Sequence, residues 1–525
     1  MARSFLRQVA TVSGLTMVSR VLGFARQMLL AGVMGAGNPV ADAFWAAFKL
    51  PNMFRRLLAE GAFQAAFIPL FQGAEARGDM AEAKRFAEDI LAWLVVILTV
   101  LSSLVLLFTP VVVTLIAYGF RADPERFDLT TVYTRIMFPY LACMSLVGLY
   151  GGMLNALQRF AAAAAAPLLL NVALIAGLLA ARDAGIETVG LVASWSVMAG
   201  GVLQLLALLW AAQRSELLLR LRLPRFTAGA KRMLVLGTPG FIGASALQVN
   251  AVVGSNIASR QEGAYSWLSY ADQLYQLPLS IIGIALGVVL MPAISRAVKS
   301  GDEAGARATL NGGMETALLF SLPAAAALAA MPAFLCEVLF DDLPALVLGG
   351  SRFDATDVSM TGAALFVYAF GLPAFVMQKV FVSAFFARED TRTPMTFALT
   401  AIALNAAISI ALFPAIGFLS VPLGTIVASW VETSLLATTL VRRGVLKPGL
   451  GLLGRVLRML LLAVGLGIWV MVALDRRDDI LPYLFGQTWL MLGAITAAAA
   501  LGYLVLAVIT GAVPKGLLRK AATHS

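Results

Sequence analysis

The sequence predicts an all-α polytopic membrane protein of about 14 transmembrane helices, with two parallel six-helix repeats around a central cavity and two extra C-terminal helices. Three observations predict it: an apolar composition, apolar runs of span length recurring from Val9 to Val513, and motifs that return in the same order in both halves. Of 525 residues, 60% are hydrophobic and only 13% charged, with a mean hydropathy of +0.86. A soluble domain carries roughly 45–50% apolar and about 25% charged residues. A water-soluble globular protein, a disordered chain and a coiled coil are therefore excluded. A run of about 20 apolar residues crosses a bilayer as a helix, and the succession of such runs leaves no room for a soluble catalytic domain.

The first span, centred near Leu22, opens after Met1 to Arg7 like a signal peptide. Arg20 and Arg26 interrupt it and no small-residue cleavage site follows, so it is expected to be retained. The spans near Phe54, Val96, Cys143, Ile175 and Leu203 complete a first bundle over residues 1–226. Those near Val249, Ile282, Ala325, Phe370, Leu404 and Trp430 form a second over 227–445, and those near Val464 and Ala498 lie in 446–525 with a terminal tail. Allocating the 39 Lys and Arg to this scheme puts 25 on the side of the N-terminus and 7 on the other. Cytoplasmic loops carry the excess of cations, so both termini are expected in the cytoplasm. The remaining seven lie inside spans: Arg20, Arg26, Lys49, Arg55, Arg56, Arg135 and Lys379.

The repeat rests on ordered matches. Gly78-Asp79 returns as Gly301-Asp302, Pro110 as Pro332, Phe127-Asp128 as Phe353-Asp354 and Pro167 as Pro394. Val-Ala-Ser-Trp appears at 192 to 195 and again at 427 to 430. An even number of helices per half gives both the same orientation, as in transporters with parallel repeats. Basic linkers from Arg214 to Arg232 and from Arg442 to Arg458 mark the ends of the halves. Their interleaved leucines suit a strip on the anionic cytoplasmic leaflet, or the cations serve as a topology signal alone.

Counting excludes several chemistries. The only histidine is His524, and Cys143 and Cys336 sit apart in apolar runs. A Ser-His-Asp triad, a histidine metal site and a disulfide framework are thereby ruled out. No phosphate-binding G-x-x-x-x-G-K-[ST] loop occurs. No cofactor, no metal and no nucleic-acid partner is expected.

The polar residues within spans form a pattern. In the first span Ser13, Thr16, Arg20, Gly23 and Gln27 are spaced 3, 4, 3 and 4, which keeps them on one helical face, with Arg26 beside it. The second carries Asp42, Lys49, Pro51, Asn52, Arg55, Arg56 and Glu60. A proline at this depth removes a backbone hydrogen bond, and a half-helix restarting after Pro51 would offer free N–H groups to an anion. The eighth span mirrors this with Ser269, Asp272, Gln276 and Pro278. Two such broken helices point to a transporter's central site. Arg56 and Glu60, at i and i+4, suit a structural pair. Asn250, Asn405 and Glu432 suit either interhelical hydrogen bonds or a small-ion site. Five cations against Asp42 and Glu60 leave an excess of three in the first two spans, and guanidinium groups match phosphate oxygens bidentately. A phosphate- or pyrophosphate-bearing substrate follows.

The strings SRVLGFARQ, ADAFWAAFKLPNMFRRLLAEGAFQAAFIPLF and SWLSYADQLYQLPLSIIGIALGVVLMP closely resemble the MurJ/MviN family of lipid II flippases. The resemblance runs over essentially the whole chain. It implies a bacterial inner-membrane protein of the multidrug/oligosaccharidyl-lipid/polysaccharide exporter superfamily. Such a protein moves undecaprenyl-pyrophosphate-linked peptidoglycan precursor to the outer leaflet by alternating access, driven by an electrochemical gradient. It implies lipid II and membrane lipids as partners, with cell-wall synthesis and division proteins beside them, and a tail groove formed by the two added helices. Arg20, Arg26, Arg55, Asp42 and Asp272 match positions facing the central cavity. The chain departs from the family at Gln27, where many members have Asp, at Gln273, where they have Arg, and at Gln276, where some have Glu. Lys49 is the expected substitute for the lost cation. The substrate-binding candidates are thus Arg20, Arg26, Asp42, Lys49, Asn52, Arg55, Asp272 and Gln273. A polysaccharide-lipid flippase is the nearest rival and a non-transporting scaffold the next. A drug antiporter needs an acidic or apolar cavity, and a polyprenyl-phosphate enzyme needs paired carboxylates, which no span shows.

Overall fold

The computed structural model describes residues 2–58, 62–76, 79–447 and 449–513. Gly78, Glu60 and His524 lie outside these residues, as does the side chain of Arg56, so the expected Arg56–Glu60 pair does too. All regular structure among the described residues is helical. Hydrocarbon offers no water to backbone groups, and a helix satisfies them within its own segment. Large apolar side chains remain outward along these helices, with Leu107 73% and Ile509 74% exposed, as befits a multi-pass membrane protein whose outer surface meets lipid. Nine described helical stretches are long and apolar enough to cross a membrane, or ten with one bent pair taken as a span. Two of them, 124–156 and 392–442, hold two helices each.

The chain forms two compact units, Met1–Ser266 with Pro344–Phe353, and Trp267–Leu343 with Asp354–Ser525. The first contains α1 (Ala2–Met34), α2 (Pro39–Leu58), α3 (Ala62–Glu75), α4 (Met80–Leu107), the short α5 (Thr109–Ile116), α6 (Pro124–Met137), α7 (Tyr140–Ala156), α8 (Phe160–Ala180), α9 (Ile186–Arg214) and α10 (Ala228–Ala258). Asp79 starts α4 by accepting from Glu82 N at 2.8 Å, and Asp123 starts α6 by accepting from Arg126 N at 3.2 Å. Such caps satisfy amides that have no partner within the helix. Pro139 separates α6 from α7 because it cannot donate to the preceding turn. At the ends of α7 and α9 the chain turns back, with Arg159 N donating to Leu154 O and Leu217 N to Ala212 O, each at 2.8 Å. The residues at those turns, Gln158 and Glu216, take a left-handed conformation (φ 58° each) that glycine usually fills. Gly200 and Gly201 let α9 approach Leu170 of α8 and the Tyr140 ring of α7, the small-residue packing typical of helices in lipid.

Two contacts fasten α1. Asn171 Nδ2 of α8 donates to Ser19 O at 3.0 Å. Arg352 donates through its guanidinium to Val33 O (3.0 Å) and Ala184 O (2.7 Å), and through its backbone to Gly32 O (2.8 Å). A cation there answers the last carbonyls of the helix. The basic linker after α9 is strapped to α4: Glu88 accepts from Arg220 N (3.1 Å) and forms an ion pair with Arg222, whose Nε lies 2.8 Å from its other oxygen, and Trp93 Nε1 donates to Arg225 O (3.0 Å).

The second unit takes in most of α11 (Ala264–Lys299), then α12 (Glu303–Ala330), α13 (Pro332–Cys336) and a π-helical turn at Glu337–Asp342, whereas α14 (Leu343–Leu348), which follows, belongs from Pro344 on to the first unit. After these come α15 (Ala355–Ala369), α16 (Leu372–Phe386), α17 (Arg392–Ile416), α18 (Ser420–Arg442), α19 (Leu450–Asp475), the single turn α20 (Arg477–Ile480) and α21 (Thr488–Ile509). Leu290 and Ile294 of α11, Leu310 of α12, Val380 and Phe381 of α16, and Leu436 of α18 share one core. The C-terminal pair packs on it through Met459 and Tyr503 near Leu319, and through Val470 and Met491 near Phe334. Each end of α19 is also pinned by an ion pair. Arg455 Nε reaches the buried Glu315 at 3.1 Å, and Arg477 grips both oxygens of Glu337 at 2.8 and 3.0 Å.

Two expectations are corrected. The helix does not break at Pro51 or at Pro278: α2 and α11 run through both as continuous helices. A trans proline inside a helix forfeits one hydrogen bond but leaves the rest of the ladder intact. What it frees is a carbonyl acceptor of the preceding turn, so no cluster of free N–H groups arises there. The match of Phe127-Asp128 with Phe353-Asp354 also falls at unlike places, since Asp128 lies inside α6 whereas Asp354 caps α15.

Outside the spans, Asp390 joins the end of α16 to the end of α18. Arg443 Nη1 lies 2.6 Å from its carboxylate, and Thr393 donates through both N (3.0 Å) and Oγ1 (2.7 Å). The Arg443 bond first, and the Thr393 amide after it, hold the Asp390 carboxyl down at about 2. A depressed folded pKa stabilises above the unfolded value and stops doing so as pH falls through the folded one. The stability difference between wild type and Asp390→Asn should therefore be constant above about pH 5 and shrink between about pH 4 and 2. Thermal unfolding across that range checks it, and Arg443→Gln should shrink the total change and move its lower end up towards the ordinary carboxylate range.

Candidate functional site

The polar stripe of α1 divides along its length. Ser13, Thr16 and Arg20 are exposed, and Thr16 Oγ1 donates back to Val12 O at 2.8 Å. Further along, Gly23 faces the Asn171 amide, and Gln27 is buried with its Oε1 unpartnered. Arg26 is half-buried, and its Nε is enclosed with no hydrogen-bond partner. It lies within electrostatic reach of Tyr140 and of Arg55. Arg55 receives support from its own helix, its Nε donating to Asn52 Oδ1 at 3.2 Å.

Arg55 also lines a cavity of about 340 Å³ within the first unit. Its polar lining is completed by Thr16, Gln64, Asn155 and Gln204, and its walls by apolar residues such as Met144, Val147 and Pro167. Gln204 is buried, with Nε2 unpartnered. No carboxylate among the described residues lines this space, and a guanidinium and amide donors face it. Such a cavity suits an anion with several acceptor oxygens.

Two other candidates on α2 are already engaged. Lys49 Nζ donates to Ser255 Oγ of α10 and stands 5.5 Å from the Tyr265 ring centroid. Asp42, with no solvent exposure, is one of the most heavily bonded groups in the unit. It accepts from Gly263 N, Ser266 N and Ser266 Oγ, each at 2.9 Å, and from Arg126 Nη1 at 3.4 Å. Arg126 is itself buried, paired with Asp123 at 2.7 Å and 5.1 Å from the Phe120 ring. Beside this network Gly119 N donates to Ser259 Oγ at 2.9 Å, and a side chain on Gly119 would strike the Ser259 carbonyl and the Arg260 backbone.

In the second unit Asp272 and Gln273 are half-buried on α11. Asp272 bonds Gln276 one turn on. Close by, the Tyr275 and Tyr368 rings stack with centroids 4.7 Å apart. Lys379 packs against Gly283, Gln378 Nε2 donates to Glu432 Oε2 at 3.2 Å, and Asn405 sits among Ser409, Thr425 and Gly424.

Sequence reasoning missed Arg126, Ser266 and Gln204. Arg126 stood out only as a loop cation, three residues after a capping Asp, and nothing in the sequence joins it to Asp42. Gln204 lies in an apolar helix where one amide carries little signal. Ser266 answers Asp42 with its backbone amide as well as its hydroxyl, and a backbone donor has no sequence signature.

The family model of the lipid II flippase MurJ matches residues 30–476. A probable lipid II flippase MurJ of Rhizobium meliloti (strain 1021) is 44% identical over 477 residues, covering 90% of this chain and 87% of the relative. That of Rhizobium tropici is 39% identical over 524 residues, covering 98% and 96%. Among solved structures, a lipid II flippase MurJ in an inward closed conformation aligns with a TM-score of 0.76 at 21% identity, covering 95% of this chain and 98% of that one. An inward-facing multidrug MATE transporter aligns at 0.65 and 14% identity, covering 83% and 97%. At these identities the two structures speak to the fold alone.

Removing the Asp42 carboxylate strands the buried donors Gly263 N, Ser266 N and Ser266 Oγ and takes away half of the ion pairing of Arg126, which keeps Asp123. Asp42→Ala should destabilise the purified full-length protein by about 3 kcal/mol, whereas Asp42→Asn, which keeps an acceptor oxygen, should cost roughly half as much. Thermal unfolding in detergent reads both, and equal effects would show that the charge is immaterial.

Proposed function

The chain belongs to the MurJ family of lipid II flippases, and from that premise we propose how its residues carry lipid II across the cytoplasmic membrane. It is a transporter rather than an enzyme. The reading of its mechanism rests on one observation above the others: Arg55 faces a cavity that no described carboxylate lines, with Arg26 within electrostatic reach and its Nε without a partner among the described residues. The pyrophosphate of lipid II is bound here by the two guanidinium groups. The amides of Gln64, Asn155 and Gln204 supply further donors. Asn52 holds Arg55 in position. Arg20 is exposed on the same face of α1 and meets the headgroup first. Lys49, Asp272 and Gln273 act later in the cycle, once substrate has displaced their present neighbours.

Asp42 is a positioning residue. It ties the start of α2 to Gly263 and Ser266 at the turn into α11. Release of this tie is the step that opens the far side in alternating access. Carrying negative charge outward is favoured by the inside-negative potential, by roughly 2.3 kcal/mol per charge per 100 mV.

The architecture is read as fourteen spans, with α2–α3, α6–α7 and α15–α16 each one interrupted span. Several features support two six-span halves, 1–226 and 227–445, followed by the added pair in 446–525. Asp79 and Asp302 cap α4 and α12 alike, Pro110 and Pro332 open the short helices that follow, and Pro139 and Pro373 mark the interrupted spans. The excess of cations in alternate loops supports cytoplasmic termini. Cell-wall synthesis and division proteins are the partners that this task implies.

The test is export of labelled lipid II in cells depleted of their own flippase. Wild type should restore export. Arg26→Ala and Arg55→Ala, expressed and inserted equally, should each lower the rate at least about tenfold, the scale of one lost charge-assisted contact. Undiminished export by both variants would remove this cavity from the path.

A further inference from the structure

A second cavity adjoins the one lined by Arg55, sharing Val12 and Phe160 with it, and the transport reading assigns it nothing. It measures about 510 Å³ and is enclosed by the start of α1, the turn between α7 and α8, and the end of α9. That volume is within the range of small-molecule sites. Its floor is apolar, with Val12, Leu154, Phe160 and alanines. Arg159 and Arg214 also line it, and no carboxylate among the described residues does.

Both cations are held. The turn closing α7 fixes the Arg159 backbone, and its side chain donates to Ser215 Oγ, which in turn donates to Ala211 O at 2.8 Å. Arg214 stacks on Trp210, its guanidinium carbon 3.9 Å from the ring centroid. Stacking on an aromatic face leaves the edge of a guanidinium, where its N–H donors lie, open to a ligand. Neither group is merely a long cation waving in solvent.

The surface above the cavity identifies the occupant. Leu203, Leu206 and Trp210 are exposed at spacings of three and four along α9. They form one apolar stripe that runs from the cavity mouth along the helix. A tryptophan at the end of a span is an interfacial anchor. Cations at headgroup depth with an apolar track leading into the hydrocarbon fit a phosphate joined to acyl or prenyl chains better than a free anion.

We propose that this cavity binds the phosphate-bearing headgroup of a membrane lipid, with the chain of that lipid lying along Leu206 and Leu203. The inference rests on the topology given above only for the leaflet, which is the cytoplasmic one. The site itself requires no transport.

The experiment is native mass spectrometry of the full-length protein released from detergent containing phosphatidylglycerol, phosphatidylcholine or inorganic phosphate. Wild type should retain phosphatidylglycerol, and Arg159→Gln with Arg214→Gln should lower its apparent affinity about tenfold, the effect of losing charge-assisted bonds to phosphate. Arg214→Gln alone, a surface change, should give a smaller loss in the same direction and guards against misfolding of the double variant. Arg182→Gln, at an exposed pair with Asp183, should change nothing. Equal retention by wild type and both cavity variants overturns the proposal, as does displacement of the lipid by equimolar inorganic phosphate. Because no flipping is measured, either failure leaves the reading of the Arg55 cavity standing.

Discussion

A carboxylate with no solvent contact must be answered by donors, and much of the first unit is arranged around answering Asp42. Burying an ion costs several kcal/mol even after relaxation. Three donors at 2.9 Å and a buried arginine meet that cost. They come from three separate pieces of chain: α2 carries the acid, α6 carries Arg126, and the turn from α10 into α11 supplies Gly263 and Ser266. Gly37 N also donates to Ser266 Oγ at 3.2 Å, bringing the α1–α2 turn into the same group. No member can move far alone, because each departure strands a buried polar atom. The network therefore behaves as one unit that is either closed or open, and two discrete arrangements are what alternating access requires.

The fold class was legible because composition settles it: a chain this apolar, in runs this long, must bury its backbone in helices. The family was legible from the strings around Arg20, Arg26 and Arg55. The roles of single charges were less so. Asp42 reads as a cavity carboxylate in sequence, yet its partners are two backbone amides, a serine 224 residues away and an arginine that counts as a loop cation. Lys49 reads as spare charge until Ser255 is seen beside it. The prolines misled for a different reason. Pro51 and Pro278 mark lost hydrogen bonds, but whether a helix breaks there depends on packing around it, which no local pattern encodes.

The added C-terminal helices show how charge can be used without being functional in the transport sense. Arg455 and Arg477 engage Glu315 and Glu337 at opposite ends of α19, so the helix is fixed at both ends to elements of its own unit. Between these pairs, apart from Arg458, which donates to Thr510 O at 2.5 Å, the contacts are apolar and non-directional, and would tolerate sliding or rotation. Two ion pairs 22 residues apart in sequence, one on α19 and one in the turn just past its end, set its register in a way that leucines against leucines cannot.

The same count of donors separates the cations of α1 and α2. A lysine ammonium is compact, and one hydroxyl with an aromatic face goes far to satisfy Lys49. A guanidinium carries five N–H donors in a rigid fork. Arg26 has an enclosed Nε with no acceptor, and its neighbour Arg55 adds like charge rather than relief. An unanswered buried donor is costly, and that cost falls when an acceptor-rich anion arrives. Binding energy is thus stored in the empty protein as incomplete hydrogen bonding. Pyrophosphate, with many acceptor oxygens and no donor when fully ionised, is the chemical inverse of that arrangement. Beside Arg26 stands Gln27, a neutral amide whose buried Oε1 accepts no bond from the described residues, so the neighbouring position on α1 adds no charge to oppose the cation.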